Sequence, residues 1–112
     1  MSQQEDCPFC QIARGEMDTE ILHEAENLVA FEDLDPKAPV HVLVIPKAHM
    51  ASVTEVPPET LKELMDAAQT MAEQQGVSES GYAIRINMGE DAQQEVEHLH
   101  VHVLGGRELS MP

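Results

Sequence analysis

The sequence predicts an α+β fold: an antiparallel sheet of about five strands with one long and one short helix packed on it. Three observations carry this. Short runs rich in β-branched and aromatic residues recur between turn-forming pairs. One segment after Pro57-Pro58 repeats apolar residues at i, i+3, i+4 and i+7. Near the end, His98, His100 and His102 alternate with Leu99, Val101 and Val103. Successive side chains of an extended strand point to opposite faces, so this last pattern makes a strand with one apolar face and one row of imidazoles.

In chain order, Cys7-Pro-Phe-Cys10 leads into a short helix with Phe9, Ile12 and Ala13 as apolar positions and Gly15 as its end. Residues 21–23, 28–31 and 40–45 are strand-like, separated by Glu26-Asn27 and Asp35-Pro36, and predict an antiparallel meander. Proline at the first helical position and Gly76 beyond the end bound a helix over 58–75. Its Leu61, Leu64, Met65, Ala68, Met71 and Ala72 form one core-facing stripe. A strand over 82–87, a loop over 88–95 and the histidine strand over 98–104 follow. The polar residues 1–6 read as a flexible tail. No repeat, linker or low-complexity tract divides the rest, so a single domain over 1–112 is expected.

A chain of 112 residues with 42% hydrophobic content buries a modest core, which leaves room for a metal or a second subunit to add stability. No apolar run reaches the roughly 18 residues of a membrane span, and the first residues lack the basic stretch and apolar core of a signal peptide. The cytoplasm is the expected location. Six Lys and Arg against 21 Asp and Glu give a formal charge of -15, which repels nucleic acid and anionic membrane over long range. An anionic ligand must then be small and bound locally. The acidity itself reads as a solvated surface, one adapted to a salty medium included, in preference to an acidic partner-binding face.

Imidazole titrates near neutral pH and serves as nucleophile, acid, base or metal ligand. Three in strict alternation beside Gly105-Gly106 are hard to read as packing. The pattern His98-x-His100-x-His102 resembles the histidine triad family of nucleotide-binding hydrolases and transferases. The likeness extends through Phe31-x-Asp33, Ala38-Pro39-x-His41-x-Leu-Val-Ile-Pro46-Lys-x-His49, Tyr82, Asn87-x-Gly89, Gln94-x-Val96 and Leu104-Gly-Gly-Arg107. It is most similar to the branch of histidine triad nucleotide-binding proteins. That resemblance implies a homodimer, with the sheet continuous across the two subunits, that cleaves purine nucleoside phosphoramidates.

The resemblance places the nucleophile at His100, and attack on an α-phosphorus suits a neutral imidazole because the resulting intermediate is labile. His102, about 7 Å farther along the face, would donate to a non-bridging oxygen. His41 would orient and tune the nucleophile, and a histidine of the cluster would protonate the departing amine. Asp33 matches the carboxylate that accepts from the ribose hydroxyls, and Asn87 the amide near phosphate and sugar. Phe9, Ile12, Phe31, Leu34 and Leu43 match the apolar slot around the base, and Gln94, Glu95 and Val96 belong to the implied nucleotide site. Without the resemblance, Phe9, Ile12, Phe31 and Leu43 read equally well as core, and Asp33 as a turn residue before Asp35-Pro36.

Some positions depart from the family pattern. Gln93 stands where glycine usually permits close backbone approach to the phosphate, and Glu95 where some members have a serine near the leaving group. Glu95 would add negative charge beside an anionic substrate or favour a cationic leaving amine. Glu108-Leu-Ser-Met-Pro112 lacks the tryptophan and proline-rich ending of many relatives, which leaves selectivity for the leaving group open. The implied alternatives to phosphoramidate hydrolysis are cleavage of dinucleoside polyphosphates and a nucleotide-binding or interaction module without turnover.

Cys7-x-x-Cys10 admits three readings: a zinc site completed by two further ligands, buried free thiols, or a redox pair, against which the lack of a preceding strand speaks. A structural disulfide is unexpected in a cytosolic chain. Some family members and their galactose-1-phosphate uridylyltransferase relatives hold a structural zinc with a Cys, Cys, His, His set. The resemblance carries that set to Cys7, Cys10, His49 and His98. Four protein ligands close such a site, so the zinc would be structural. His23 remains as a surface strand residue.

Overall fold

The protein is described by a computed structural model over residues 7–110, and the tail expected over 1–6 lies outside the described residues. The elements are α1 (Pro8–Ala13), β1 (Ile21–Glu24), β2 (Leu28–Glu32), β3 (Val40–Pro46), a 3-10 turn (Val53–Glu55), α2 (Pro58–Gln74), β4 (Tyr82–Ile86) and β5 (Val101–Gly105). The five strands form one antiparallel sheet in the order β1-β2-β3-β5-β4. The expected meander is thus β1 to β3.

The α2 helix starts on Pro58, whose fixed φ suits the first turn, and ends where Gly76 takes φ +77. There Val77 N–H donates to Ala72 O at 2.9 Å, satisfying a last-turn carbonyl. Leu64, Ala68, Met71 and Ala72 bury against Leu28, Ala30, Val42, Val44, Val101 and Val103 of the sheet and Leu99 just before β5. Leu61 and Met65, expected in the same stripe, flank it half-buried. A fully buried leucine or valine contributes about 2 kcal/mol of transfer free energy, so this face carries much of the stability. The opposite face packs Val29, Phe31, Leu43 and Ile45 against Phe9, Cys10 and Ile12 of α1. With both faces covered, β3 is buried from His41 to Pro46.

The last strand begins later than the alternation from His98 predicts: its ladder starts at Val101, paired with Val44. Pro46 has no N–H to continue the ladder, its carbonyl lies 2.8 Å from the His98 ring Nε2, and Leu99 N–H donates instead to Met50 O at 2.6 Å. Residues 98–100 still alternate faces: Leu99 enters the α2-side core and His98 and His100 the other.

The double glycine has a steric cause. A Cβ on Gly105 would sit 3.1 Å from Val77 Cβ, and on Gly106 2.9 Å from Pro39 Cβ, with Gly106 already at φ +92. The chain turns there so that Arg107 donates to Lys37 O at 2.8 Å, closing the loop that precedes β3.

Candidate functional site

The α1 side of the sheet holds two neighbouring clusters of titratable groups. In one, Cys7 caps the start of α1, Cys10 sits in its first turn, His49 follows β3 and His98 precedes β5. Cys7 Sγ lies 3.3 Å from His98 Nδ1, and Cys10 Sγ lies 3.5 Å from both His98 Nδ1 and His49 Nδ1. The four donor atoms lie within 4.8 Å of one another. With Zn–S of about 2.3 Å and Zn–N of about 2.05 Å, the S···N edges of a tetrahedron are about 3.6 Å. The observed separations fit those edges.

The second nitrogen of His98 completes this test. Its Nε2 has Pro46 O as acceptor at 2.8 Å, so Nε2 carries the proton and Nδ1 turns a lone pair toward the two sulfurs. A backbone carbonyl behind a ring in this way is what metal-ligating histidines use to fix their tautomer. Burial pushes the His98 imidazole down to about 4, with the His49 and His100 charges acting in the same direction and the Pro46 hydrogen bond opposing. It is the neutral, ligating form at pH 7. No disulfide joins the two buried cysteines.

The second cluster is His41, His100 and His102 with Asp33. Register brings it together. Leu43 pairs with His102 and His41 with Leu104, which makes His41 and His102 diagonal neighbours on one face. Lys37 N–H donates to His41 Nδ1 at 3.0 Å, so the neutral ring is protonated at Nε2. That Nε2 lies 2.9 Å from His102 Nδ1 and 3.3 Å from Asp33 Oδ2. His102 Nδ1 therefore accepts, and its proton sits on Nε2. Burial drives His102 down to about 4, helped by the His100 and His41 charges. Burial also lowers His41, and Asp33 opposes that shift. Although Asp33, His41 and His102 are close enough to surround an ion, the Lys37 amide keeps the His41 lone pair off that point. The relay runs from the Lys37 N–H through His41 to His102, with Asp33 Oδ2 beside the His41 Nε2–H.

His100 is the mirror case. Its Nδ1 lies 2.8 Å from the His98 carbonyl, an acceptor only, so Nδ1 is the protonated nitrogen and Nε2 keeps its lone pair. The rings of His100 and His102 have centroids 4.9 Å apart. One ring offers a lone pair and the other an N–H.

Both rings line a cavity of about 320 Å³. Of the residues named from the sequence, Phe9, Ile12, Phe31, Asp33, Leu34, His41, Leu43, Asn87, Gln93, Glu95, Val96, His100 and His102 line it. Leu34 does so from the rim, 80% exposed. Asp33 is the turn residue that its position before Asp35-Pro36 suggests, its Oδ1 accepting from Asp35 N–H at 2.8 Å, and its Oδ2 lies 3.3 Å from His41 Nε2. Asn87 donates to Ala92 O at 2.8 Å and holds the loop.

His41 stands against His102, whose ring in turn stands against His100. Gln94 does not line the cavity. Its Oε1 accepts from Gly89 N–H at 2.9 Å and its Nε2 donates to Ala51 O at 3.0 Å, so both ends of the amide brace the loop. Beside it Gln93 takes φ +62, the left-handed region that a glycine would occupy freely.

The structure adds Pro8, Met17, Asp35, Lys37 and Ala92 to the lining. Only Asp35 and Lys37 had a local signal, as charged neighbours of a turn. Met17 arrives by the path of the chain after α1, which no periodicity records. Lys37 acts on His41 through its backbone, invisible in side-chain identity.

A family model described as the HIT domain matches residues 14–109. The purine nucleoside phosphoramidase of Escherichia coli (strain K12) is 37% identical over 108 residues, covering 94% of this chain and 91% of that protein. Among solved structures, a HIT family hydrolase from Clostridium thermocellum superimposes with a TM-score of 0.93 at 41% identity, covering 98% of each chain. A zinc-bound histidine triad family protein from Mycobacterium smegmatis superimposes with a TM-score of 0.82 at 36% identity, covering 91% of this chain and 76% of that one. With the five-stranded sheet, the histidine row and these likenesses together, the chain belongs to the HIT domain family and is a hydrolase.

Proposed function

We propose that the protein hydrolyses purine nucleoside 5'-phosphoramidates, compounds of the AMP-amine type, through a nucleotidyl-His100 intermediate. The observation that carries this is the opposed pair of tautomers: a lone pair on His100 Nε2 and an N–H on His102 Nε2 at one cavity. The phosphoramidase named among the relatives supports the substrate class. His100 Nε2 attacks the α-phosphorus, a P–N bond to the ring forms and the bond to the amine breaks. His102 donates to a non-bridging oxygen as charge develops. The histidine cluster gives the departing amine its proton. Water then attacks phosphorus, breaks the bond to His100 and releases the nucleoside monophosphate. His100 recovers its lone pair and water's proton returns to the cluster. Phe9, Ile12, Phe31, Leu34 and Leu43 would take the base, and Asp33 the ribose hydroxyls.

Zinc at Cys7, Cys10, His49 and His98 would supply a closed tetrahedral crosslink and no open position for substrate. The protein would be a homodimer. β4 is an edge of the sheet with Ile84 41% exposed, and edges of this kind pair across a two-fold. Light scattering at micromolar concentration checks this, and a monomer would contradict it. The substrate class is tested by comparing turnover of adenosine 5'-phosphoramidate with that of a dinucleoside polyphosphate. Faster cleavage of the phosphoramidate is expected. Preference for the polyphosphate would overturn the assignment.

A further inference from the structure

We propose that the Cys7, Cys10, His49, His98 metal centre sets the affinity of the adjoining nucleotide slot, with Phe9 as the positioning residue that couples them. This rests on the nucleotide reading of the cavity and on the donor geometry above.

Phe9 lies between the two thiols in sequence and between the two sites in space. Its ring packs edge-on against His98 (centroids 5.8 Å, 79°), against His100 (5.0 Å, 79°) and against Phe31 (5.8 Å, 67°), and it lines the cavity. The element that carries it is weak by itself. α1 has six residues, too few to hold a helix alone, and is capped by a thiol whose contact with Cys10 N–H is 3.4 Å long. A metal bound by both thiols ties the first turn of α1 to His49 and His98 and so fixes where Phe9 stands.

His98 does not depend on the metal in the same way. It is fully buried and held from behind by Pro46 O, so its carbonyl remains the acceptor for His100 Nδ1–H. Metal loss should therefore loosen the wall of the slot and leave the nucleophile oriented. The consequence is specific: the effect falls on nucleotide binding and KM, not on kcat. A metal that only held the fold together would lower the active fraction, and with it kcat, at unchanged KM.

The test is a linkage measurement on the full chain with AMP as probe, which needs no turnover. Zinc affinity is measured by chelator competition with and without saturating AMP, and AMP affinity by calorimetry with and without zinc. AMP should tighten zinc about tenfold, and zinc should tighten AMP by the same factor, since coupling is reciprocal. Phe9→Ala should abolish the linkage, and Phe9→Leu, which keeps more of the packing, should retain part of it. In steady-state assays zinc depletion should raise KM about tenfold, with kcat per folded molecule unchanged. Zinc affinity indifferent to AMP, or a linkage undiminished in both Phe9 variants, overturns the proposal while leaving the nucleotide reading intact. Failure of the zinc-loaded protein to bind AMP overturns both.

Discussion

His98 and His100 stand two residues apart on one face of the same segment, both buried, and expose opposite nitrogens. Pro46 O takes the Nε2 proton of His98 and leaves Nδ1 for two sulfurs; the His98 carbonyl takes the Nδ1 proton of His100 and leaves Nε2 for the cavity. His102 completes the series, because a donor at its Nδ1 makes its Nε2 an N–H. The same residue type at the same spacing thus acquires three chemistries from three backbone or side-chain partners. The alternation chooses the face, and the partner behind each ring chooses the role.

His98→Ala or Cys10→Ser should lose the zinc, measured as metal per chain, and lower unfolding stability by about 3–5 kcal/mol, because metal binding free energy is part of the folding free energy. What remains folded should still turn over substrate. Retained zinc at full stoichiometry would contradict the ligand set.

Removing the partner of His102 tests the other cluster. His41→Ala deletes the donor that holds the His102 tautomer and should lower kcat by about 10²-fold, the scale of losing one oriented donor. Calorimetric AMP affinity should stay within about twofold. A loss confined to binding would refute the relay.

The protonation state of His102 gives a pH prediction. Its folded value, about 4, lies below the ordinary 6.5, so the unfolded chain takes up the proton first. Stability from this group is present above pH 6.5, declines as pH falls toward 4, and is gone below it. His102→Asn should therefore flatten the dependence of the urea midpoint on pH between 7 and 4. An unchanged slope would mean that the ring is not held neutral.

The smallest effect sharpens the loop. Gln93→Gly relieves a left-handed side-chain residue at φ +62 and should stabilise the protein by about 1 kcal/mol in urea melts, less any gain in unfolded-state entropy. Destabilisation would show that contacts of the glutamine outweigh its strain.

Much of this was legible in the sequence because it is local. The i, i+3, i+4 stripe placed Leu64, Ala68, Met71 and Ala72 in the core, and period-two alternation put Leu99, Val101 and Val103 on the α2 face. What was not legible depends on pairings between distant segments. The start of β5 is set by the missing N–H of Pro46, 55 positions before Val101 in sequence. The contact of His41 with His102 follows from inter-strand register. Gln94 sits in the expected stretch, but its amide is engaged by Gly89 and Ala51, and a residue's type does not say which of its hydrogen bonds the fold has already used.

The most direct test of the three-role account is single-turnover cleavage of adenosine 5'-phosphoramidate by His100→Ala beside the wild type, with the zinc content of both measured on the same preparations. The account predicts a folded, zinc-loaded variant that binds AMP and has lost turnover by about 10⁴-fold or more, the scale of removing a nucleophile. Full activity in His100→Ala, or loss of its zinc, would contradict the division of labour between His98 and His100.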